Sequence, residues 1–180
     1  MGATLGSIHL YQAEGSDVLT ELRENYHAKD FSFGWISLFN YEWQEITELR
    51  AEARRMSKLI DAPVIAFYCY DDDLLALTLH RSGKIMAQCG HSAYDIELRN
   101  KKLPVFAEQL GIDDPGGKHL SAMLKCKDVY LLIDMLEEYL GVCLYADEDF
   151  FDEGDDDEEF RRTRGKEKFE NYMREVANKK

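Results

Sequence analysis

Proline is scarce in this chain and positive charge is in deficit. Three prolines occur in 180 residues, and 22 lysines and arginines stand against 35 aspartates and glutamates, a net charge of −13. With 12% aromatic residues, the composition argues against wholesale disorder. A surface this negative repels phosphate backbones and anionic lipid, so neither nucleic acid nor membrane is an expected partner. Long apolar runs are also missing, and no stretch reaches the ~18 residues that a membrane span needs. The opening MGATLGSIHLYQ has no basic n-region and no apolar h-region, so no signal peptide is expected. Its Met1-Gly2 start fails as a myristoylation signal, because Gly6 stands where Ser or Thr is required.

Paired cysteine motifs are absent too. Cys69, Cys89, Cys126 and Cys143 stand too far apart for a zinc or thioredoxin-type pattern. Each lies in or beside an apolar stretch, which suits a reduced, buried thiol. A cytoplasmic protein without metal or cofactor is the expectation.

What remains is an ordinary core and an unusual charge distribution. Hydrophobic residues make up 45%, enough for a domain of the common ~100–150-residue size. Residues 1–146 carry a net charge of −8, residues 147–159 hold ten carboxylates and no cation, and residues 160–180 are net +5. The expected organisation is therefore one α+β domain over 1–146, an acidic low-complexity linker over 147–159, and an appended charged helix over 160–180. Like charges at such density repel one another and stay solvated.

Periodicity supplies the elements. Residues 3–11 read as a strand, and Ser16 or Asp17 caps a helix with Val18, Leu19, Leu22 and Tyr26 on one stripe. The aromatic stretch 31–39 reads as a second strand, and a long helix is expected over 41–60 with Leu49, Ala53, Met56 and Ile60 inward. Residues 63–70, PVIAFYCY, are continuously apolar, as in a strand covered on both faces. Leu75, Leu77 and Leu79 alternate with Ala76, Thr78 and His80, the turn Arg81-Ser82-Gly83-Lys84 follows, and 85–89 return. Residues 63–89 thus form an antiparallel three-stranded meander in a small central sheet, with helices packed on it. The second half is helical: Pro104 opens one helix and Asp128 caps another, and Gly111 and Gly141 close them in Schellman fashion.

Several constellations bear on function. Asp71, Asp72 and Asp73 place three carboxylates between two strands, where they either hold a hard cation or simply make a solvated turn. Cys89 and His91 bring a thiol near an imidazole, as a nucleophilic pair does, although a strand-end cysteine followed by a loop histidine is the simpler reading. The stretch Gly111–Lys118 departs from a phosphate loop in spacing, has His119 in place of Ser or Thr and follows a helix, so it reads as a connector. The acidic run fails as a calcium loop, because Phe151 and Phe160 fall at ligand positions. Trp35, Phe39, Tyr41 and Trp43 read either as core at a strand–helix junction or as an aromatic pocket. Phe150 and Phe151 are aromatic anchors inside the acidic run.

Two functions are consistent with these features. The first is an acidic module that binds a basic protein partner, with Asp71, Asp72, Asp73, Trp35, Trp43, Phe150 and Phe151 as candidate binding residues. Small acidic inhibitor and immunity proteins offer the analogy, on charge and size alone. The alternative is a small hydrolase-like enzyme using the Asp71–Asp73 loop or the Cys89/His91 pair.

Overall fold

A continuously apolar strand must be covered on both faces, and residues 64–70 are placed accordingly, inside a sheet with helices on either side. The computed structural model describes residues 4–13, 17–31, 34–40, 42–71, 73–92 and 99–144. Within them the chain has an α+β fold. Its elements are β1 (Thr4–Tyr11), α1 (Asp17–Asn25), β2 (His27–Phe31), β3 (Trp35–Phe39), α2 (Ile46–Leu59), β4 (Val64–Tyr70), β5 (Leu74–Arg81), β6 (Lys84–Ser92), α3 (Pro104–Leu110), α4 (Lys118–Met123) and α5 (Val129–Leu140). The strands make one antiparallel sheet in the order β2-β3-β1-β4-β5-β6.

β1 lies between β3 and β4, so both helical crossovers skip one strand. The β1–α1–β2 connection moves toward one edge of the sheet. The β3–α2–β4 connection moves toward the other, along strands of opposite direction. Crossovers of a single hand therefore put both helices on the same face. On that face Leu19 and Leu22 of α1 and Leu49, Ala53 and Met56 of α2 pack on Ile8, Leu10, Ile36, Leu38, Val64 and Ala66. The opposite face carries Trp35, Ile65, Phe67, Leu75, Leu77 and Leu79, covered by Phe106, Leu120, Leu132 and Leu136 from α3, α4 and α5. β1, β3 and β4 contribute alternate residues to the two cores, the period-two rule of the pleated backbone. Burying each such Leu or Phe stabilises the fold by about 1.5–3 kcal/mol.

The meander forms as the periodicity predicts. Leu75 pairs with Cys69 and with His91, and Leu77 with Phe67 and with Cys89. Its hairpin turn places Ser82 at φ 50° and Gly83 at φ 73°. Positive φ at both central residues gives the twist of a type I′ turn. A side chain at Gly83 would also meet Lys58 carbons at 2.5 Å, so α2 closes over the turn. The expected helix ends are present: Asp128 Oδ1 accepts from the Leu131 N–H at 3.0 Å, and Ile112 and Val142 donate back to the Ala107 and Glu137 carbonyls at 3.0 and 3.2 Å.

Two elements differ from the sequence expectation. Residues 31–39 are not one strand; the chain reverses before β3, with Gly34 at φ 82°. The aromatic run conceals a turn, and the polar HAKDF stretch forms the edge strand β2. The helix expected from residue 41 begins at Ile46. Asn40 Oδ1 accepts from the Glu42 N–H at 3.0 Å, and the Trp43 N–H bonds the Asn40 carbonyl at 3.0 Å. Such a turn competes with helical bonding.

Candidate functional site

The polar groups with the most defined chemistry lie inside the molecule. Ser7, His9 and Ser37 are fully buried on adjacent strands, where His9 pairs with Ser37. Period-two geometry puts Ser7 and His9 on one face of β1. Ser7 Oγ donates to the Leu144 carbonyl at 3.3 Å. Its proton is thereby committed, so it accepts from His9 Nε2 at 2.8 Å. His9 Nδ1 must then accept from Ser37 Oγ, at 2.6 Å. A directed relay runs from Ser37 through the imidazole to Ser7 and on to the C-terminal segment. Burial holds the His9 pKa down to about 3, so the ring stays neutral. The Ser37–His9 geometry is that of a hydroxyl and its base, but with Trp35 and Phe39 edge-on to the ring it is sealed from solvent. Its chemistry here is to hold residue 144 against β1. Glu137 assists, because its Oε1 accepts from the Leu144 N–H at 2.7 Å.

A second buried acid organises the loop between α3 and α4. Asp114 accepts from the backbone N–H groups of His119 and Leu120 at 3.0 and 3.2 Å and from the Tyr139 hydroxyl at 3.0 Å. Burial alone would raise its pKa, but these three donors outweigh it and hold the carboxylate low. Burial and the Asp114 carboxylate push the Tyr139 phenol up. The connector 113–118 is thus a clamp between α4 and α5.

The residues singled out from the sequence are scattered. Trp35 packs in the core beneath α5, tilted on Tyr11 with ring centroids 4.8 Å apart. Trp43 packs in the opposite core, 5.2 Å from Tyr26. The two indoles lie on opposite faces of the sheet and line no common pocket. Asp71 and Asp73 sit in the three-residue turn between β4 and β5, Asp71 at φ 51°, with the Asp73 N–H bonded to the Tyr70 carbonyl at 3.1 Å. Asp72, Tyr41, Phe150, Phe151 and the stretches 147–159 and 160–180 lie outside the described residues. Cys89 and His91 both belong to β6, so His91 is a strand residue rather than a loop residue. Cys89 is buried and desolvation raises its thiol to about 12, which keeps it protonated near neutral pH. All four cysteines are free and buried.

Sequence reasoning passed over Ser7, Ser37 and the role of Asp114, and its expectation that His9 and His80 are surface or capping histidines is corrected here, because both are fully buried. Both histidines occupy the strand phase that alternates with the large apolar side chains, Ile8 and Leu10 in β1 and Leu75, Leu77 and Leu79 in β5; that phase reads as outward in the sequence and is buried because helices cover both faces of the sheet. Among the described residues no cluster of three or more His, Cys, Asp or Glu suits a metal ion, and no helix is long and apolar enough to cross a membrane.

No protein-family model, curated protein or solved structure matches the chain.

Proposed function

We propose that the protein is an interaction module that binds a basic protein partner, in the manner of small acidic inhibitor or immunity proteins. The observation that supports this reading is the segregation of charge. Ten carboxylates fall in residues 147–159, only three positions beyond Leu144, whose N–H and carbonyl are both bonded to buried side chains. An acidic segment attached at such a fixed point accelerates encounter with a cationic surface, because opposite charge steers association. Phe150 and Phe151 would supply the apolar anchors of the contact.

Affinity capture from source cells, using full-length protein and a 1–146 fragment as baits over a salt series, tests the proposal. A basic protein held by the full-length bait at low salt, held more weakly by 1–146 and released as salt rises, is the expected result. The release follows from a Debye length of ~8 Å at physiological ionic strength. Equal recovery on both baits overturns the role of the arm. Recovery of an acidic or neutral protein alone overturns the partner class.

A further inference from the structure

One side of α2 is cationic in a protein whose net charge is −13. Arg50, Arg54 and Lys58 follow at four-residue intervals and so share that side, which faces β5 and the β5–β6 turn. Arg54 Nε donates to the Gly83 carbonyl at 2.8 Å, which leaves both Nη groups uncommitted. Arg50 is half-buried, and among the described residues no carboxylate pairs with it or with Arg54. An arginine drawn this far from water without a counter-charge is unusual, because desolvation opposes the charge.

Beneath this side lie Thr78 and His80, on one face of β5 and almost fully buried. His80 Nε2 is 2.9 Å from Thr78 Oγ1, and His80 Nδ1 is buried with no partner. Both guanidinium groups act on the ring, adding to the burial that disfavours its charged form. Nδ1 has no hydrogen-bond partner, so it accepts from neither guanidinium. The consistent tautomer therefore has the Thr78 hydroxyl donating to Nε2 and a proton on Nδ1. Every uncommitted group here is then a donor: the Nδ1–H, the Arg50 guanidinium and the Arg54 Nη groups. A set of donors with positive charge and no free acceptor suits an anion, and two guanidinium forks match the oxygens of a phosphoryl group.

We propose that Arg50, Arg54 and His80 form a binding site for a phosphate group between α2 and the β5–β6 hairpin. The site is independent of the acidic arm and opposite to it in sign.

The test follows the His80 ring in ¹⁵N–¹H spectra of the full-length protein. Inorganic phosphate and O-phosphoserine are titrated separately against sodium chloride at matched ionic strength. The expected result is an Nδ1–H tautomer in the free protein and a saturable shift with phosphate that chloride does not reproduce. Arg50→Gln and Arg54→Gln should each weaken binding about tenfold, the loss expected for one charge-assisted hydrogen bond. The amide spectrum reports whether each variant is folded, and exposed Arg54 is the safer substitution. Arg55→Gln, which removes the partner of Glu52 on another side of α2, should leave binding unchanged. A response to both probes assigns the site to a phosphomonoester on a larger ligand, and a response to inorganic phosphate alone assigns it to the free ion. An Nε2–H tautomer, equal shifts in chloride, or undiminished binding in a folded Arg54→Gln protein overturns the proposal.

Discussion

The Trp35 indole N–H donates to the Leu140 carbonyl at 3.0 Å, across 105 positions of sequence. This bond ties the third strand of the sheet to the last turn of α5. Helix ends leave carbonyls without intrahelical partners, and here a buried side chain satisfies one. Replacing Trp35 by Phe keeps an aromatic ring but strands that carbonyl. The expected cost is about 1–3 kcal/mol, beyond any cavity the smaller ring leaves. Urea melts followed by the fluorescence of Trp43, the other of the two tryptophans, measure it. A variant as stable as the parent would show that water replaces the indole.

Leu77 tests the strand register. It is 1% exposed and pairs with Phe67 on one side and Cys89 on the other. Leu77→Ala should cost about 2–5 kcal/mol, the range for a buried leucine whose surroundings relax only in part. A much smaller loss in denaturant melts would mean that residue 77 does not face the core.

How much of this was readable beforehand differs from element to element. β4 and β5 were legible because each offers an unmistakable pattern, seven apolar residues in a row and a strict leucine alternation. β2 was not, because an edge strand has one side of its backbone unpaired and tolerates His, Lys and Asp, so its pattern resembles a loop. The separation of Trp35 from Trp43 was hidden as well. Strand parity assigns a face only while the strand continues, and the chain leaves β3 at Phe39 before Trp43 folds back over the other side. The buried relay through His9 joins Ser7, Ser37 and Leu144, and no local pattern encodes contacts over such separations.

The buried histidines set a pH dependence. Burial lowers His9 to about 3, and burial reinforced by Arg50 and Arg54 lowers His80 to about 4, both from an ordinary value of 6.5. The unfolded chain therefore takes up protons below pH ~6.5 that the folded chain refuses. Stability from these groups is complete above that pH and is lost as pH falls toward the folded-state values. Each histidine contributes a slope of up to about 1.4 kcal/mol per pH unit. Melts of the parent and of His9→Gln between pH 7 and 5 should show a shallower fall in the variant. Identical slopes would mean that His9 already titrates normally in the folded state.

The thiols should be silent in the native state. All four cysteines are buried, and Cys89 is held protonated by its surroundings. A disulfide reagent at pH 8 should label them at rates that track unfolding, with four equivalents consumed only in denaturant. A rapid native-state burst mapped to Cys89 by mass spectrometry would restore it as a candidate nucleophile.

The position of β1 also bears on biosynthesis. Both of its neighbours lie downstream, so when β1 leaves the ribosome it has nothing to pair with until β3 and then β4 emerge. Its outer core face stays bare longer still, because α5, whose end receives the Trp35 bond, is completed only at Leu140. Non-local pairing of this kind defers folding until late in synthesis and exposes apolar strand surface meanwhile. A nascent chain stalled before Val129 would lack α5, which brings Val129, Leu132, Ile133 and Leu136 to the cover of that face, and would leave part of the apolar sheet surface bare for chaperones that hold β-rich intermediates.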